Sequence, residues 1–475
     1  MIRFFNTLSG KLEEFISLKP KEVKLYTCGP TVYDYAHIGN YRAYVFEDLL
    51  KRFLIYMGYR VTHVMNITDV DDKIIKAAKA KGCSLEEYTA QYIKAFFNDT
   101  KMLNINQADA YPKATDHIPD MVKIVKKLLE KGYAYKRDGS IYFDIAKFPE
   151  YGKLSNINQS DLKPGQRIEA DEYEKESIHD FALWKQKKEG EFFWKTELGE
   201  GRPGWHIECS AMSSKYLGDS FDIHCGGVDN IFPHHENEIA QSEAYSGKKF
   251  VNYWLHCQYL INDGEKMSKS KGNQYTLRFL LEKGYSPMAV RFLLLSTHYR
   301  KTLNFTFDNL AQANASLKRL TDFVYELENH SFSEGENSDI KPLLEETVNR
   351  FREGLSDDLN ISIALTSVFE LVRKINLFIT KGKIYADDAD NILKTIDQFD
   401  QVLAVLPERK STGLSAEILA KIQERENARN MRDFERADQI RDELLAQGII
   451  LEDTRDGTRW KIINTRRQNG GTEKT

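Results

Sequence analysis

The stretch LYTCGPTVYDYAHIGN, residues 25–40, predicts the end of a strand, a turn and the start of a helix in one short segment. Before and within it, Val23 and Leu25 alternate with polar neighbours, and this period of two is typical of a strand. After it, apolar residues recur at helical spacing through residues 41–58, and Gly58 is the expected C-terminal stop. The fold is therefore decided at this strand-to-helix joint.

The start of the helix is an expected anion site. Its free backbone N–H groups and the positive end of the helix dipole suit a triphosphate, and His37 and Asn40 would reach the same ligand. A strand predicted over residues 59–67 completes a strand, helix and strand with a right-handed crossover, which is half of a nucleotide-binding fold. The alternative at this point is an ordinary α/β unit with a histidine in a turn.

Size and composition indicate several domains and no membrane span. The chain has 475 residues, 41% hydrophobic and 29% charged, so large cores can form. It lacks a long apolar run and the apolar core of a signal peptide, so a cytoplasmic location is expected. The five cysteines are scattered and odd in number, which favours free thiols or metal ligands over disulfides. The net charge of −4 argues against a uniformly basic nucleic-acid binder but allows a local basic face.

The predicted fold class is α/β, a Rossmann-type parallel-sheet catalytic domain split by an insertion and followed by all-α C-terminal domains. The α/β pattern returns at FDIHCGG (221–227) and VNYWLHCQYLIND (251–263), which we interpret as a strand and a second strand leading into a loop. The expected divisions are the first catalytic half at 1–112, an inserted connective subdomain at 113–200, the second catalytic half at 201–262, a region beginning with a basic loop at 263–310, a helical bundle at 311–409 and a C-terminal region at 410–475.

A metal site is suggested by PHHENEIAQSEA, residues 233–244, on a predicted helix. His234 and Glu238 are four residues apart and share one face, so they could supply two of the four donors that zinc needs. Cys28 and Cys209 could converge with them at the carboxyl edge of the sheet. Spacing alone leaves the alternative that both cysteines are small buried apolar residues.

Other polar residues are expected to pack. His235 shares its helix face with Ile239, which favours packing, and Cys83, Cys225 and Cys257 lack any ligand-like arrangement.

The loop GEKMSKSKGN, residues 264–273, carries Lys266 and Lys269 as mobile point charges suited to a triphosphate. Alone, it could be an ordinary solvated basic loop. Combined with HIGN at a helix start in a split nucleotide fold, it resembles the HIGH and KMSKS signatures of class I aminoacyl-tRNA synthetases.

The resemblance narrows to the cysteinyl-tRNA synthetase family and spans nearly the whole chain. The segments that carry it are CGPTVYDYAHIGN, NITDVDDKII, GWHIECSAMS, FPHHENEIAQSEA, EKMSKSKGN and the end from 425 to 460. The resemblance implies a monomeric enzyme that uses ATP with Mg²⁺ to activate L-cysteine and transfers it to tRNA(Cys). It also implies that 263–310 contains the KMSKS loop and stem-contact region and that 410–475 binds the anticodon.

The family's site residues carry over by position. The resemblance implies one Zn²⁺ per subunit held by Cys28, Cys209, His234 and Glu238. It further implies cysteine-binding roles for Thr68, Trp205 and His224, catalytic roles for His37, Asn40, Lys266 and Lys269, and ATP contacts that include these four together with Gly29, Gly39, Gly227 and Asp229.

Two residues depart from the family pattern. Asn40 replaces the last histidine of HIGH; it can donate a hydrogen bond but carries no charge, so it should modify phosphate contact without abolishing it. Cys225 stands where the family has glycine in DIHGGG, and we expect it to pack rather than compete for metal.

Zinc would explain the choice of cysteine over serine, which differ by one atom. Shape alone discriminates poorly between such isosteres, whereas zinc binds a thiolate far better than a neutral hydroxyl. The substrate sulfur is therefore hypothesised to be an additional zinc ligand.

The C-terminal region suggests an RNA-binding face. If the segment is one helix, Lys421, Arg425, Arg429, Arg432 and Arg436 form a basic stripe, opposite Leu419, Phe434 and Ala437. The alternative is a solvated face paired with neighbouring glutamates. By resemblance this end reads the anticodon, with bases stacked on side chains such as Trp460.

Two other functions remain as alternatives. A cysteine ligase of the mycothiol pathway shares the activation site but lacks the long helical C-terminal part, and a non-catalytic RNA-binding relative would have lost the chemistry. The HIGN and KMSKS segments and the four expected ligands argue against the second alternative.

Overall fold

The computed structural model describes residues 1–157, 180–266, 274–407, 416–447, 449–454 and 457–462. The chain forms two compact units, one of Met1–Leu327 with Phe332–Leu406 and one of Glu328–Ser331 with Pro407–Thr475. In chain order the elements are β1 (Arg3–Asn6), β2 (Lys11–Glu14), β3 (Glu22–Thr27), α1 (Ile38–Tyr56), β4 (Arg60–Met65), α2 (Asp72–Lys81), α3 (Leu85–Met102), α4 (Ile118–Glu130), β5 (Ala134–Arg137), β6 (Ser140–Phe143), β7 (Phe181–Gln186), β8 (Trp194–Thr196), β9 (Gly199–Pro203), α5 (Trp205–Leu217), β10 (Phe221–Gly227), α6 (Glu236–Ser246), β11 (Val251–Cys257), β12 (Leu260–Asn262), β13 (Glu265–Lys266), α7 (Leu277–Glu282), α8 (Pro287–Leu295), β14 (Leu303–Phe305), α9 (Phe307–Asn329), α10 (Ile340–Ser356), α11 (Ile361–Thr380), α12 (Ala386–Leu403), α13 (Ala416–Asn430), α14 (Phe434–Ala446), β15 (Ile449–Thr454) and β16 (Gly457–Ile462).

A four-stranded parallel sheet of order β11-β10-β3-β4 forms at the centre of the first unit, and its parallel arrangement is the one that the sequence predicts. Its central pair, β10 and β3, comes from chain segments far apart in sequence. The part of the chain between β3 and β10 forms a separate five-stranded antiparallel sheet of order β5-β6-β7-β9-β8. The parallel sheet is therefore assembled from two separated parts of the chain, and its carboxyl edge brings their ends together.

The strand-to-helix joint lies where the stretch at residues 25–40 predicts it. Strand β3 ends at Thr27, and Gly29 donates its backbone N–H to Asn66 Oδ1 at 2.9 Å, which ties the turn to the end of β4. Helix α1 begins after His37, whose backbone N–H donates to Asn40 Oδ1 at 3.1 Å. Gly58, at φ 81°, follows the helix as expected.

Two buried arginines attach α1 to the helices that follow the parallel sheet in the chain. Arg42 donates to the carbonyl oxygen of Leu294, within the last turn of α8, and to that of Thr297, just beyond the helix, the latter at 2.8 Å. Arg291 on α8 pairs with the fully buried Asp48 at 2.6 Å. Arg291 also donates through Nε to a carbonyl at the end of α12, so α1, α8 and α12 are held together by one ionic network.

Helix α6 is joined to the inserted region by a buried carboxylate. Glu236 accepts hydrogen bonds from the backbone N–H groups of Gly152, Leu154 and Ser155 at 2.8, 3.0 and 2.8 Å. The neighbouring Asn237 accepts from the Tyr151 hydroxyl at 2.5 Å. One turn of the inserted region is thereby fixed against the start of α6, the helix that carries Glu238 and directly follows the Ile231–His235 turn with His234.

Within residues 251–263 the predicted strand is confirmed, but the loop expected to follow it needs correction. β11 ends at Cys257, and the chain then enters a second, three-stranded sheet through β12, which pairs in parallel with β14. The change of sheet occurs because the two residues between the strands pair with a different chain segment. The Gln258 backbone N–H donates to the Tyr299 carbonyl oxygen, and the Tyr259 carbonyl oxygen accepts from the Leu303 N–H.

The basic stripe predicted for the C-terminal region is wrong. The segment forms two helices, α13 and α14, because the chain turns at Arg432, with φ 63°, and Asp433 caps the second helix. Arg425 is buried at 3% exposure, while Lys421 and Arg436 pair with glutamates across the two helices. The β15–β16 hairpin follows these helices and is an addition to the predicted helices.

Of the predicted apolar side opposite the stripe, Ala437 is buried and Phe434 is 61% exposed. The side chains of Leu419 and Trp460 lie outside the described residues. Among the helices that the structure describes, none has both the length and the apolar character required to cross a bilayer.

We expect Gly29→Ala to destabilise the fold, since a Cβ at this position would lie 1.7 Å from the Asn66 carbonyl oxygen. Backbone atoms of two strands would have to separate, at a cost of about 3 kcal/mol in the free energy of unfolding. Gly10→Ala is the control, because Gly10 has φ +67° but no atom within 4 Å of the added Cβ. It should cost about 1 kcal/mol. Urea denaturation measures both, and equal losses would contradict the steric explanation.

Candidate active site and metal centre

A cavity of about 350 Å³ opens at the carboxyl edge of the parallel sheet. One wall is the first three turns of α1, where Asn40, Tyr44 and Glu47 recur at helical spacing. The opposite wall is made by the ends of β10 and β11 and by the chain that follows them. Sequence-distant segments thus meet at one concave site, the place where such sheets bind ligands.

The helix start in this cavity is suited to an anion. His37, Gly39 and Asn40 all line it, and the N-terminal N–H groups of α1 face the same space. Because the Asn40 carbonyl oxygen already accepts from the His37 N–H, the Asn40 amide NH₂ is left as the donor toward the cavity. The departure from HIGH therefore retains a donor while it caps the helix.

Gly227 and Asp229 stand opposite this helix start, at the end of β10. Both line the cavity, and a Cβ on Gly227 would lie 2.3 Å from Asp229 Oδ1. Gly29, on the turn after β3, also lines it. The glycines let a carboxylate and two turns approach closely around one ligand-sized space.

Four potential metal ligands converge at the inner end of the cavity. One donor atom from each of Cys28, Cys209, His234 and Glu238 lies within 4.8 Å of the others. Three of the four residues are buried, and Cys28, Cys209 and His234 line the cavity. Two sulfurs, one imidazole and one carboxylate form a donor set that suits zinc.

A second grouping shares Cys28 and Glu238 but uses His224 and His235. These two histidines are fully buried and are not among the described residues that line the cavity. A metal held there would lie behind the site and out of reach of a ligand in the cavity. The first grouping is therefore the one that could act on a substrate.

The charges within the first grouping are strongly coupled. Burial raises the pKa of Glu238, but His224 and His234 outweigh it and lower that pKa to about 2. Burial also lowers the pKa of His234, but Glu238 and Cys209 raise it to about 10. The hydrogen bond between the two thiols lowers the pKa of Cys209 to about 6 and raises that of Cys28. One thiol thus ionises readily, as a thiolate ligand must.

The surroundings of Glu238 Oε1 indicate whether a cation fits among the four ligands. This oxygen is inaccessible to solvent and lies 3.0 Å from His234 Nε2, yet it has no correctly aligned hydrogen bond within the described part of the chain. His234 and Glu238 each contribute a donor atom to the four-residue grouping, whose donor atoms all lie within 4.8 Å of one another. The donor set and its spacing fit a zinc ion.

Each ligand except Cys209 has a histidine behind it. Cys28 Sγ lies 3.2 Å from His235 Nε2, and His234 Nδ1 lies 2.9 Å from His206 Nδ1. The second Glu238 oxygen, Oε2, lies 3.0 Å from the ring of His224. These contacts fix the ligands in the way outer hydrogen bonds do in metal sites.

The expectation that His235 merely packs is therefore wrong. Besides its contact with Cys28, its Nδ1 lies 2.8 Å from His256 Nε2. The partners come from β3 and β11, so the helical spacing of α6 could not reveal them. His206 was also missed, although its place beside Trp205 in the GWHIECSAMS segment offered a signal.

The expected cysteine-binding residues take different positions. Thr68 lines the cavity and donates to Glu208 Oε2 at 3.2 Å, while Trp205 is 41% exposed and its ring packs against the His234 ring, with centroids 4.3 Å apart and planes tilted by 31°. His224 instead lies behind Glu238 and outside the described cavity lining.

Glu47 is a further residue that sequence analysis missed. Its side chain lies between α1 and the sheet, and burial raises its pKa well above the usual range against the effect of the Thr27 hydroxyl. A carboxylate at helical spacing from Asn40 and Tyr44 was the available signal.

Cys225 and Cys257 are both buried, and Cys257 lines the cavity. Cys83 is half-buried, and its thiol lies 3.8 Å from the Ala78 carbonyl oxygen. The side chain of Lys266 and the whole of Lys269 lie outside the described residues.

Sequence families account for most of the chain. Residues 14–315 match the class I (C) catalytic domain of tRNA synthetases, 350–407 match the DALR domain, and 411–460 match the anticodon binding domain of cysteinyl-tRNA ligase.

Solved structures of other synthetases share the fold. A Mycobacterium tuberculosis methionyl-tRNA synthetase in complex with methionyl-adenylate superposes with a TM-score of 0.58 at 16% identity, covering 81% of this chain and 89% of that one. The Agrobacterium radiobacter K84 LeuRS complex has a TM-score of 0.58 at 12% identity, covering 82% and 84%. These similarities concern the fold alone.

Curated relatives match along nearly their entire length. A cysteine–tRNA ligase of Solibacter usitatus is 52% identical over 462 residues, which cover 97% of this chain and 99% of the relative. One of Chlamydia muridarum is 50% identical over 472 residues with the same coverage. The expected class I fold and the resemblance drawn from the motifs are thus confirmed, and the chain belongs to the cysteine–tRNA ligase family of class I aminoacyl-tRNA synthetases.

Proposed function

We propose that this protein activates L-cysteine with ATP and transfers it to the 3′ end of tRNA(Cys). The observation that carries the proposal is the meeting of a helix-start anion site and a thiol-rich metal cluster in one cavity. The first suits a triphosphate and the second a substrate thiol. We further propose that the enzyme is a cytoplasmic monomer and that Mg²⁺ accompanies ATP.

Cys28, Cys209, His234 and Glu238 are proposed to hold one Zn²⁺. When bound, this ion would supply a thiophilic Lewis acid that accepts the cysteine sulfur and disfavours serine. His234 is held by two neighbours, His206 through Nδ1 and the Trp205 ring that packs against it. The protein thereby presents this ligand in a fixed orientation toward the cavity.

Activation is proposed to proceed by direct displacement. A carboxylate oxygen of cysteine attacks the α-phosphorus of ATP, the bond to pyrophosphate breaks, and cysteinyl-adenylate forms. His37, the Asn40 amide and the N-terminal N–H groups of α1 orient and stabilise the phosphates, and Asp229 faces the ribose. Lys266 and Lys269 are proposed to add positive charge to the phosphates. Positioning and charge suffice for phosphoryl chemistry, so a covalent nucleophile is not required.

In the second step a ribose hydroxyl of the tRNA 3′ end attacks the carbonyl carbon of the adenylate, and AMP leaves. The proposed roles of Thr68 and Trp205 are to position the amino acid in the cavity that they line. His224 is proposed to act through Glu238, to which it is hydrogen-bonded, rather than on cysteine directly. The C-terminal region is proposed to bind the anticodon.

Charging of tRNA provides the first test. Purified protein with ATP, Mg²⁺ and radiolabelled cysteine should place acid-precipitable label on unfractionated tRNA, and base or ribonuclease should remove it. Omission of ATP is the control. Label on an amino sugar instead of RNA, or no cysteine-dependent ATP–pyrophosphate exchange, would overturn the proposal.

His234→Ala should weaken cysteine selection, because it removes a ligand and its hydrogen bond to His206. Bound zinc per chain should fall, the cysteine KM should rise at least about tenfold, and discrimination against serine should decrease. His117→Ala is the matched control, since His117 is also buried but bonds only to a local backbone carbonyl among the contacts described. Unchanged selectivity with zinc lost would refute the metal's role.

Asn40→Asp should separate capping from phosphate binding. The carboxylate can still accept from the His37 N–H, so the melting temperature should hold, whereas the lost donor and added negative charge should raise the ATP KM about tenfold. The cysteine KM should change little. Asn40→His, which restores the usual family residue, should keep ATP binding; an unaltered ATP KM in the Asp variant would argue against phosphate contact.

A further inference from the structure

Cys209 differs from the other three proposed metal ligands in the contacts described for it. Cys28, His234 and Glu238 are each contacted from behind by a histidine. The Cys209 sulfur contacts Cys28 and His234, which are themselves proposed ligands. A fixed donor directed at Cys209 from outside the set would complete the pattern.

Tyr26 is placed to be that donor. It precedes Cys28 by two residues at the end of β3, so both side chains project from the same face of the sheet. Helix α5, which carries Cys209, packs on β3. Tyr26 is fully buried, and its hydroxyl lies within interaction range of Cys209, Cys28 and Glu238, with Cys209 as its side-chain hydrogen-bonding neighbour.

The Tyr26 ring cannot easily turn away from this position. It lies edge-on to the His224 ring, with centroids 5.0 Å apart and planes at 63°, and 6.3 Å from the Phe221 ring. These two residues come from the neighbouring strand β10. The hydroxyl is thereby held close to the cluster.

The hydroxyl is also a buried donor without an aligned acceptor. Its oxygen is inaccessible to solvent and interacts with the Cys209 side chain, but within the described part of the chain it makes no fully aligned hydrogen bond. Such a group costs free energy, and phenylalanine would avoid that cost. A neutral thiol is a weak acceptor, whereas a metal-bound cysteine is a thiolate and accepts more strongly.

We propose that the Tyr26 hydroxyl donates a hydrogen bond to the Cys209 sulfur in the metal-loaded protein and is a positioning residue of the metal centre. This inference rests on the proposed metal site. The bond withdraws electron density from the Cys209 sulfur, so the metal keeps a greater tendency to accept the sulfur of the substrate. Of the two cysteine ligands, Cys28 already has His235 as its outer partner, which leaves Cys209 for Tyr26.

Tyr26→Phe in the full-length protein tests the inference without use of activity. After chelator treatment the variant should unfold at the same temperature as wild type or higher, because the unpartnered hydroxyl is gone. After one equivalent of Zn²⁺ its thermal stabilisation should be smaller, and competition with a chromophoric chelator should show about tenfold weaker binding. A packing role would instead lower the melting temperature of both forms equally and leave metal affinity unchanged, which would overturn the inference.

Cobalt substitution supplies a spectroscopic signature. Loss of a hydrogen bond to sulfur raises the energy of its lone pairs, so the sulfur-to-Co²⁺ charge-transfer band of Tyr26→Phe should move to longer wavelength. Tyr142→Phe is the matched control, since Tyr142 is equally buried but lies on β6 of the inserted sheet. It should leave the band and the metal affinity unchanged. The cysteine KM of Tyr26→Phe should rise several-fold with little change in kcat.

The outcomes separate this inference from the broader proposal. Wild-type protein that binds no Zn²⁺ or Co²⁺ would overturn both, whereas normal wild-type binding with an unaltered Tyr26→Phe band would overturn the inference alone. If Tyr26→Phe does not fold, 3-fluorotyrosine at position 26 replaces it. The more acidic phenol should shift the band to shorter wavelength, and an unmoved band would count against the hydrogen bond.

Discussion

The buried carboxylate of Glu238 is the group on which the geometry of the site depends. It is fully buried between His224 and His234, 3.0 Å from each, and it carries charge because these rings outweigh the effect of burial on its pKa. A charge in such a place is tolerated only when it is paired and hydrogen-bonded. The carboxylate therefore fixes one histidine toward the cavity and another behind it, and it joins α6 to β10.

A second buried ion pair supports the other half of the site. Asp48 on α1 pairs with Arg291 on α8, and both are fully buried. The start of α1 is the anion site, so its position relative to the following helices is set by charges about three turns away. Removal of either partner would leave an uncompensated buried charge, which makes the arrangement of α1 and α8 specific as well as stable.

How much the sequence could predict depends on how local the signal was. The joint at residues 25–40, the helix α1 and the pair of His234 and Glu238 follow from patterns within a few residues. Cys28 and Cys209 lie far apart in sequence, so the expected sheet topology only suggested that they converge, and the family resemblance was needed to single out the full ligand set. The contacts of His235 with Cys28 and His256 escaped prediction for the same reason.

The two departures from the family pattern lie on the α1 side of the site and differ in consequence. Asn40 performs a local task, since its carbonyl caps the helix and its amide faces the cavity, so the substitution changes charge but preserves a donor. Cys225 pairs in register with Thr27, and its thiol is fully buried near Glu47 and Cys257. Burial raises the pKa of the Cys225 thiol well above its ordinary range, and Glu47 and Cys257 raise it further, which disfavours the thiolate that a metal requires. The site thus contains buried thiols of opposite character, Cys209 at the metal cluster and Cys225 beneath α1. The difference arises because the hydrogen bond with Cys28 is the largest effect on the pKa of Cys209, whereas burial is the largest effect on that of Cys225.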